Sequence, residues 1–371
     1  MAEAATATKT NRGNFFEDFQ IGQVLRHPIG RTLSEGDAAL YIALTGERYP
    51  LYCDAEYARS LGYRREPIND LLVFHTVFGQ SVADVSLNAV ANLGYADLRF
   101  LKTVYPGETL RSESEVVGLR ATSGGPGIVY VRTKGLDERG RSVLEFYRWV
   151  MVNRRDTGGP SPETVVPDLP TEVMPERLRA PAALSLQTFD ASRAPGQHFF
   201  EDYVVGERIH HADGITIEEA EHALATRLYQ NTARIHFDAH AAKGTRFGRR
   251  LIYGGHIISL ARALSFNGLE NALGILAFNG GTHANPTFAG DTIYAWSDVL
   301  ATADLPHERR LGALRLRLVA VKNANPLDED VPLRVTDEKS GREGYNPAVV
   351  LDLDYWVTMP RRAPLTRADA S

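Results

Sequence analysis

Two stretches of the chain, about residues 71–91 and 255–272, are apolar around most of a helical circumference rather than along one stripe. A helix of that kind needs cover on most sides, so each is expected to run through the middle of a packed unit. Each is followed by runs in which apolar and polar residues alternate. TLRSESEVVGL, IVYVRTKGL and VLEFYRWVMV follow the first; TIYAWSDVL, LRLRLVAV and VVLDLDYWVTM follow the second. Alternation of period two reads as strands with one buried face, joined by turns such as Asp137-Glu138-Arg139-Gly140. A shorter helix precedes each long one. Ser34-x-x-Asp37 before AALYIAL and Thr216-x-x-Glu219 before AEHALATRL each predict a capping box, where side chains satisfy the orphan N–H groups of a first turn. The expected unit is an antiparallel sheet curled around one long helix, present twice, so the fold class is α+β.

The elements repeat because the residues repeat. Phe15-Phe16-Glu17-Asp18-Phe19 returns as Phe199-Phe200-Glu201-Asp202-Tyr203, and Gly22 returns as Gly206. Thr32 then meets Thr216, Leu44 meets Leu228, Leu51 meets Ile235 and Asp54 meets Asp238 without a gap. Trp149 with Arg154-Arg155 answers Trp356 with Arg361-Arg362 near the two ends. The chain therefore reads as a tandem duplication. One repeat spans 14–155 and the other 197–362, and a proline-rich segment at 156–196 crosses a surface as extended linker.

Composition narrows the function classes. A length of 371 residues is comfortable for two cores, and 43% hydrophobic residues is ordinary for a globular protein. The net charge of −5 and the lack of a basic stripe argue against a nucleic-acid partner. Cys53 is the only cysteine, which excludes an internal disulfide and fits a reducing cytoplasm. No apolar run approaches the roughly 18 residues of a membrane span. The opening MAEAATATKTNRG reads as a loose tail without the apolar core of a signal peptide. Common nucleotide, zincin and hydrolase motifs are absent, so no cofactor or metal is expected.

RTLSEGDAALYIALTGERYPLY, residues 31–52, resembles the opening helix and overhang of the MaoC-like hydratases of the hotdog fold, whose signature runs approximately T-G-D-x-N-P-L-H. Tyr229-Gln230-Asn231-Thr232-Ala233-Arg234-Ile235-His236 stands at the matching place of the second repeat. The resemblance implies a tandem (double) hotdog, an acyl-CoA substrate, no cofactor, and a homodimer or higher homo-oligomer. NTARIHFDAHAAKGTRFGRRLIYGGHIISLARALSFNG and SLNAVANLGYA are similar more narrowly to the mesaconyl-CoA hydratases of that family. Those enzymes interconvert mesaconyl-CoA (2-methylfumaryl-CoA) and β-methylmalyl-CoA, a hydro-lyase reaction in acetyl-CoA or glyoxylate assimilation.

In the family an Asp and a His five residues apart act on water, while a backbone N–H at the start of the central helix holds the thioester oxygen. Position by position, the His becomes His236, the Asp becomes Asn231 and the helix-start glycine becomes Gly255; the first repeat has Tyr52 and Glu47 instead. Imidazole suits proton transfer near neutrality, whereas a phenol with a reference pKa of about 10 does not. The first repeat is thus expected to be non-catalytic. Asn231 either orients water through its amide or is a turn residue. Arg234 either pairs with the free carboxylate of a dicarboxylic substrate or is a solvated cation. Gly254 with Gly255 offers N–H groups and a helix dipole, or a plain tight turn. Tyr253, His256 and His283 line the pocket or are satisfied core residues. Lys243, Arg246, Arg249 and Arg250 could hold the phosphates of coenzyme A, or form a wet face. His236, Asp238 and His240 alternate as strand ligands to a metal would, but a metal site wants more support and is set aside. Two rival readings remain: a thioesterase, which would want a carboxylate beside the thioester, and a non-catalytic acyl-CoA binding protein.

Overall fold

The computed structural model describes residues 9–362 except 124, 157, 160, 161, 188, 307, 339 and 340. The first half runs β1 (Val24–Thr32), α1 (Glu35–Thr45), α2 (Pro50–Cys53), α3 (Ala55–Ser60), α4 (Asp70–Gln80), β2 (Ala89–Phe100), β3 (Thr109–Arg120), β4 (Gly127–Leu136) and β5 (Ser142–Val152). The second half repeats it as β6 (Arg208–Thr216), α5 (Glu219–Leu228), α6 (Arg234–Phe237), α7 (Ala239–Ala242), α8 (Gly254–Leu264), β7 (Ile275–Thr282), β8 (Thr292–Leu305) and β9 (Glu308–Lys322). A small ribbon of β10 (Arg334–Thr336) and β11 (Glu343–Tyr345) precedes the last strand, β12 (Val349–Pro360).

All the long strands belong to one antiparallel sheet of ten, in the order β1-β3-β4-β5-β2-β7-β12-β9-β8-β6. The order reads the same from either end once matching strands are equated. The two halves therefore meet edge to edge through β2 and β7, with Tyr95 opposite Gly281 and Leu98 opposite Phe278. This removes one exposed edge from each half. It is the tandem hotdog, each half a central helix wrapped by its own five strands.

The central helices behave as their composition demands. Leu71–Gln80 of α4 and Gly255–Leu264 of α8 are buried along their whole length. Both are shorter than the apolar stretches implied, and each ends at a serine. The Ser81 hydroxyl donates to Phe78 O at 2.6 Å and the Ser265 hydroxyl to Arg262 O at 2.6 Å. After α4 a single wide turn, Val82–Ser86, leads into β2, so residues 89–91 are strand. After α8, Gly268 at φ +106° turns the chain toward β7, a conformation that favours glycine.

The first capping box forms as expected: Ser34 Oγ accepts from Asp37 N at 3.1 Å and Asp37 accepts from Ser34 N at 2.8 Å. The second is only half formed and lies two residues later, where Glu221 accepts from Glu218 N at 3.3 Å. Thr216 still belongs to β6, where its hydroxyl meets that of Thr292 at 2.7 Å. The proline-rich segment is extended, yet more firmly seated than a solvated linker. It buries Val173, Leu178, Leu184 and Leu186; Val173 N donates to Asn279 Oδ1 at 2.7 Å, and Trp356 Nε1 donates to Val173 O at 3.1 Å.

Helices of the two halves also lock together. Tyr41 OH donates to Ser259 Oγ at 2.8 Å, and His75 Nε2 lies 2.8 Å from the same oxygen. Gly79 packs so closely on the end of α5 that a Cβ there would fall 1.8 Å from Tyr229 O.

Candidate active site

An open cleft of about 1120 Å³ lies where the halves meet. Phe78, the Val82–Ser86 turn, Asn92, Tyr95 and Arg148 line it from the first half; Asn231, His236, Tyr253, Gly254 and His283 line it from the second.

His236 sits on the one-turn helix α6. Its Nδ1 lies 2.8 Å from Leu251 O, an atom that can only accept, so Nδ1 carries the proton and Nε2 keeps its lone pair. Burial lowers its pKa to about 4, so at neutral pH the ring is an uncharged base with a defined tautomer. His222 packs edge-on against it at 6.4 Å, and its Nε2 accepts from Tyr253 N at 3.0 Å, pinning the entrance to α8.

Asn231 follows Gln230, whose φ of +56° turns the chain inward after α5. Asn231 is buried, and its Oδ1 accepts from Ala233 N at 3.2 Å. The oxygen thus holds the turn, and the residue also lines the cleft.

Gly254 and Gly255 are the first residues of α8, where no helical carbonyl reaches their N–H groups. Gly254 lines the cleft, whereas Gly255 is buried behind Tyr253. Neither tolerates a side chain. A Cβ at Gly254 would lie 2.5 Å from His283 Nδ1, and one at Gly255 would lie 2.4 Å from the Tyr253 ring. His283 in turn places Nε2 3.1 Å from Tyr95 OH, and burial lowers its pKa to about 4.

Several expected pocket residues lie elsewhere. His256 faces away because two residues along a helix rotate a side chain by roughly 200°. It is fully buried with Nε2 2.6 Å from Glu221 and Nδ1 3.2 Å from Tyr229 OH, a tie between α8 and α5. Arg234 is exposed and does not line the cleft; it borders an adjoining depression with Leu87 and Thr245 that shares Ser86 and Ile235 with the cleft. Among the basic residues, Arg246 lines the cleft and stacks on Phe247 at 4.6 Å. Arg249 lies over Phe288 at 4.0 Å, Arg250 is paired with Glu219, and Lys243 is exposed. His236, Asp238 and His240 do not converge: Asp238 instead caps α7, accepting from His240 N at 2.9 Å and Ala241 N at 3.0 Å.

Arg148 is the residue that sequence reasoning missed. It sits on β5 with no solvent exposure, between Phe146 and Val150 on the strand's buried phase. That phase was the available signal: an arginine at an inward position of an alternating strand.

The cleft's fold and residues can now be set beside known proteins. The family model described as mesaconyl-CoA hydratase matches residues 2–329. The chain belongs to the mesaconyl-CoA hydratase family. It is 54% identical to the beta-methylmalyl-CoA dehydratase of Chloroflexus aurantiacus, over 96% of this chain and 99% of that one. It is 52% identical to the mesaconyl-CoA hydratase of Cereibacter sphaeroides, over 95% of this chain and 100% of that one. A solved structure titled as a MaoC domain protein dehydratase from Chloroflexus aurantiacus superposes with a TM-score of 0.90 at 54% identity, covering 96% of this chain and all of that one. A Mycobacterium tuberculosis structure with a double hotdog fold superposes at 0.70 with 29% identity, over 94% of this chain and 98% of that one.

Proposed function

We propose that this chain is a hydro-lyase that reversibly hydrates mesaconyl-CoA to β-methylmalyl-CoA, with His236 as its acid and base. The observation that carries the reading is the fixed tautomer of His236, with Nε2 free in the cleft beside Asn231 and the start of α8. A water held near Asn231 gives its proton to Nε2 as its oxygen bonds to the β-carbon. The electron pair of the double bond moves onto the thioester oxygen as an enolate. N–H groups of Gly254 and Gly255, with the helix dipole behind them, stabilise that oxygen. The imidazolium then returns its proton to the α-carbon, so water has been added with no charge left over. The reverse sequence expels water.

The first half is non-catalytic in this scheme and builds one wall of the site. Arg246 at the cleft and exposed Lys243 are the best placed of the basic residues for coenzyme A phosphates. No helix among the described residues is long and apolar enough to cross a membrane. The reading also carries a cytoplasmic location and a homodimer or larger homo-oligomer, which sedimentation of the full chain tests. The deciding experiment incubates purified protein with mesaconyl-CoA and follows the absorbance of the conjugated thioester together with free thiol. Loss of absorbance without thiol release supports the hydratase; thiol release points to a thioesterase, and no change to simple binding.

A further inference from the structure

The guanidinium of Arg148 is buried completely and has no carboxylate partner among the described residues. Only its Nη2 is engaged, donating to Ser81 Oγ at 2.8 Å, while Nε and Nη1 find no acceptor. The face of Phe78 lies 4.2 Å below it. A buried cation of this kind is costly, and native proteins normally supply a counter-ion or a full set of acceptors. Arg262, the buried arginine of α8, shows the ordinary arrangement. It donates to Ser265 Oγ at 3.0 Å, stacks over Tyr49 at 3.6 Å and lies in the field of Glu47. Arg148 instead borders the cleft that holds His236. Burial lowers its pKa only to about 10, so it remains charged at neutral pH. Nearby, both polar atoms of the Asn92 side chain are buried without partners.

We infer that Arg148 is the specificity residue of the site, pairing with the free carboxylate that a dicarboxylic acyl-CoA carries beyond its double bond. The inference rests on the hydratase reading for its substrate and deepens it. Substrate supplies the missing counter-ion, so a bound carboxylate relieves an unfavourable ground state of the empty protein. Binding the carboxylate at the buried end of the cleft also orients the acyl chain, with the thioester toward α8 and coenzyme A toward the exposed Arg246. An uncharged enoyl chain leaves the cation unpaired and is disfavoured. This assigns to the first half the role that Arg234 was expected to play from the second.

The test compares mesaconyl-CoA with 2-methylcrotonyl-CoA, in which a methyl replaces the carboxylate. Arg148→Met is expected to lower kcat/KM for mesaconyl-CoA about 100-fold or more, while the value for 2-methylcrotonyl-CoA changes less than about 5-fold. Arg148→Lys is expected to recover part of the preference. Equal losses on both substrates, or an unchanged ratio, overturn the inference. Should the methionine variant fail to fold, inhibition of the wild-type protein decides. Methylsuccinyl-CoA is expected to bind about 30-fold or more tightly than 2-methylbutyryl-CoA, and equal inhibition overturns the proposal. Failure of the wild-type protein to hydrate mesaconyl-CoA would instead fault the hydratase reading, whereas the direct-binding ratio of the two saturated acyl-CoAs, compared between wild type and Arg148→Lys, reports on Arg148.

Discussion

The two halves carry the same elements around one pseudo-twofold arrangement, yet only one matching site presents an imidazole to its cleft; the cleft at the other is lined by Asp70, Lys102 and Arg179. In the second half, His236 faces a cleft bounded by Gly254 at the start of α8. In the first, Tyr52 replaces the imidazole and Asp70 begins the corresponding helix α4. Tyr52 OH donates to Asp70 Oδ2 at 2.6 Å, and the same oxygen accepts from Ile275 N at 2.9 Å. Glu47, in the place of Asn231, accepts from Arg48 N, Tyr49 N and Asn69 Nδ2 at 2.8–3.0 Å. The Tyr49 ring lies beneath Arg262 at 3.6 Å. Tyr52, Asp70 and Glu47 are thus bonded to protein partners, so the first site is plugged at Tyr52 although a cleft lined by Asp70 and Lys102 remains beside it. On the proposed mechanism one copy of the fold specialises in proton transfer while the other supplies packing and Arg148.

The largest expected effect is at the imidazole. His236→Ala should lower kcat for hydration by about 10³-fold with the fold retained, as judged by circular dichroism and thermal midpoint. The companion change Tyr52→His should create no second activity in that background. Asp70 stands where the second half has Gly254, and Glu47 where it has Asn231, so rescue by Tyr52→His would contradict the view that the first site is plugged.

Gly254→Ala is expected to cost about 100-fold in kcat/KM. Alanine is the better helix former, so the loss must come from crowding between the new methyl and His283, whose Nδ1 lies 2.5 Å from the Cβ position. Steady-state kinetics beside a denaturant midpoint check this: lower activity together with a lower midpoint is the expected pair, because His283 must shift to admit the methyl.

Asp70→Asn probes the plug. Burial raises the Asp70 pKa to about 6, so above that pH an ionised carboxylate sits in an unfavourable place. An amide oxygen can still accept from Tyr52 OH and Ile275 N. The variant should therefore be more stable than wild type at pH 8, by on the order of 1–2 kcal/mol, and indistinguishable from it near pH 4. Equal urea midpoints at pH 8 would mean that the carboxylate is better solvated than its burial indicates.

What could be read from the residues alone followed their periodicity. The duplication, the wrapped helices and the inward alternation of the strands all arise from local burial patterns. His236 could be singled out because one matched position holds an imidazole and the other, Tyr52, does not. The missed features are those made by the join between halves. Arg148 lies 88 positions before His236 and reaches the cleft only because β2 pairs with β7. His256 was misplaced because a helix turns it behind Gly254, and Arg234 because a single-turn helix leaves it outside. Charge and spacing alone could not separate Arg234, exposed beside the site, from Arg148, buried within it.

The smallest expected effect is a pH dependence that is flat where an ordinary histidine would bend it. His236 and His283 titrate at about 4 and His222 at about 3, because burial disfavours their charged forms. The acid limb of kcat/KM should accordingly fall near pH 4–5, with less than about a 2-fold change between pH 7 and 5.5. A limb near 6.5 would show that the ring is solvated in the working enzyme. Stability adds an independent check with opposite signs in the two halves. The depressed histidines contribute fully above their unfolded pKa of about 6.5, and their contribution is lost as pH falls toward 4. Asp70 and Glu47, raised to about 6 and about 7, behave in reverse. Their contribution is full below about pH 4 and is lost as pH rises through 6–7. Between pH 4 and 7 the open site gains stability as the plugged one loses it. Three depressed histidines outweigh two raised carboxylates, so the urea midpoint of the wild-type chain should climb with pH across that window. In Asp70→Asn, part of the opposing titration is gone, so the midpoint should climb more steeply with pH.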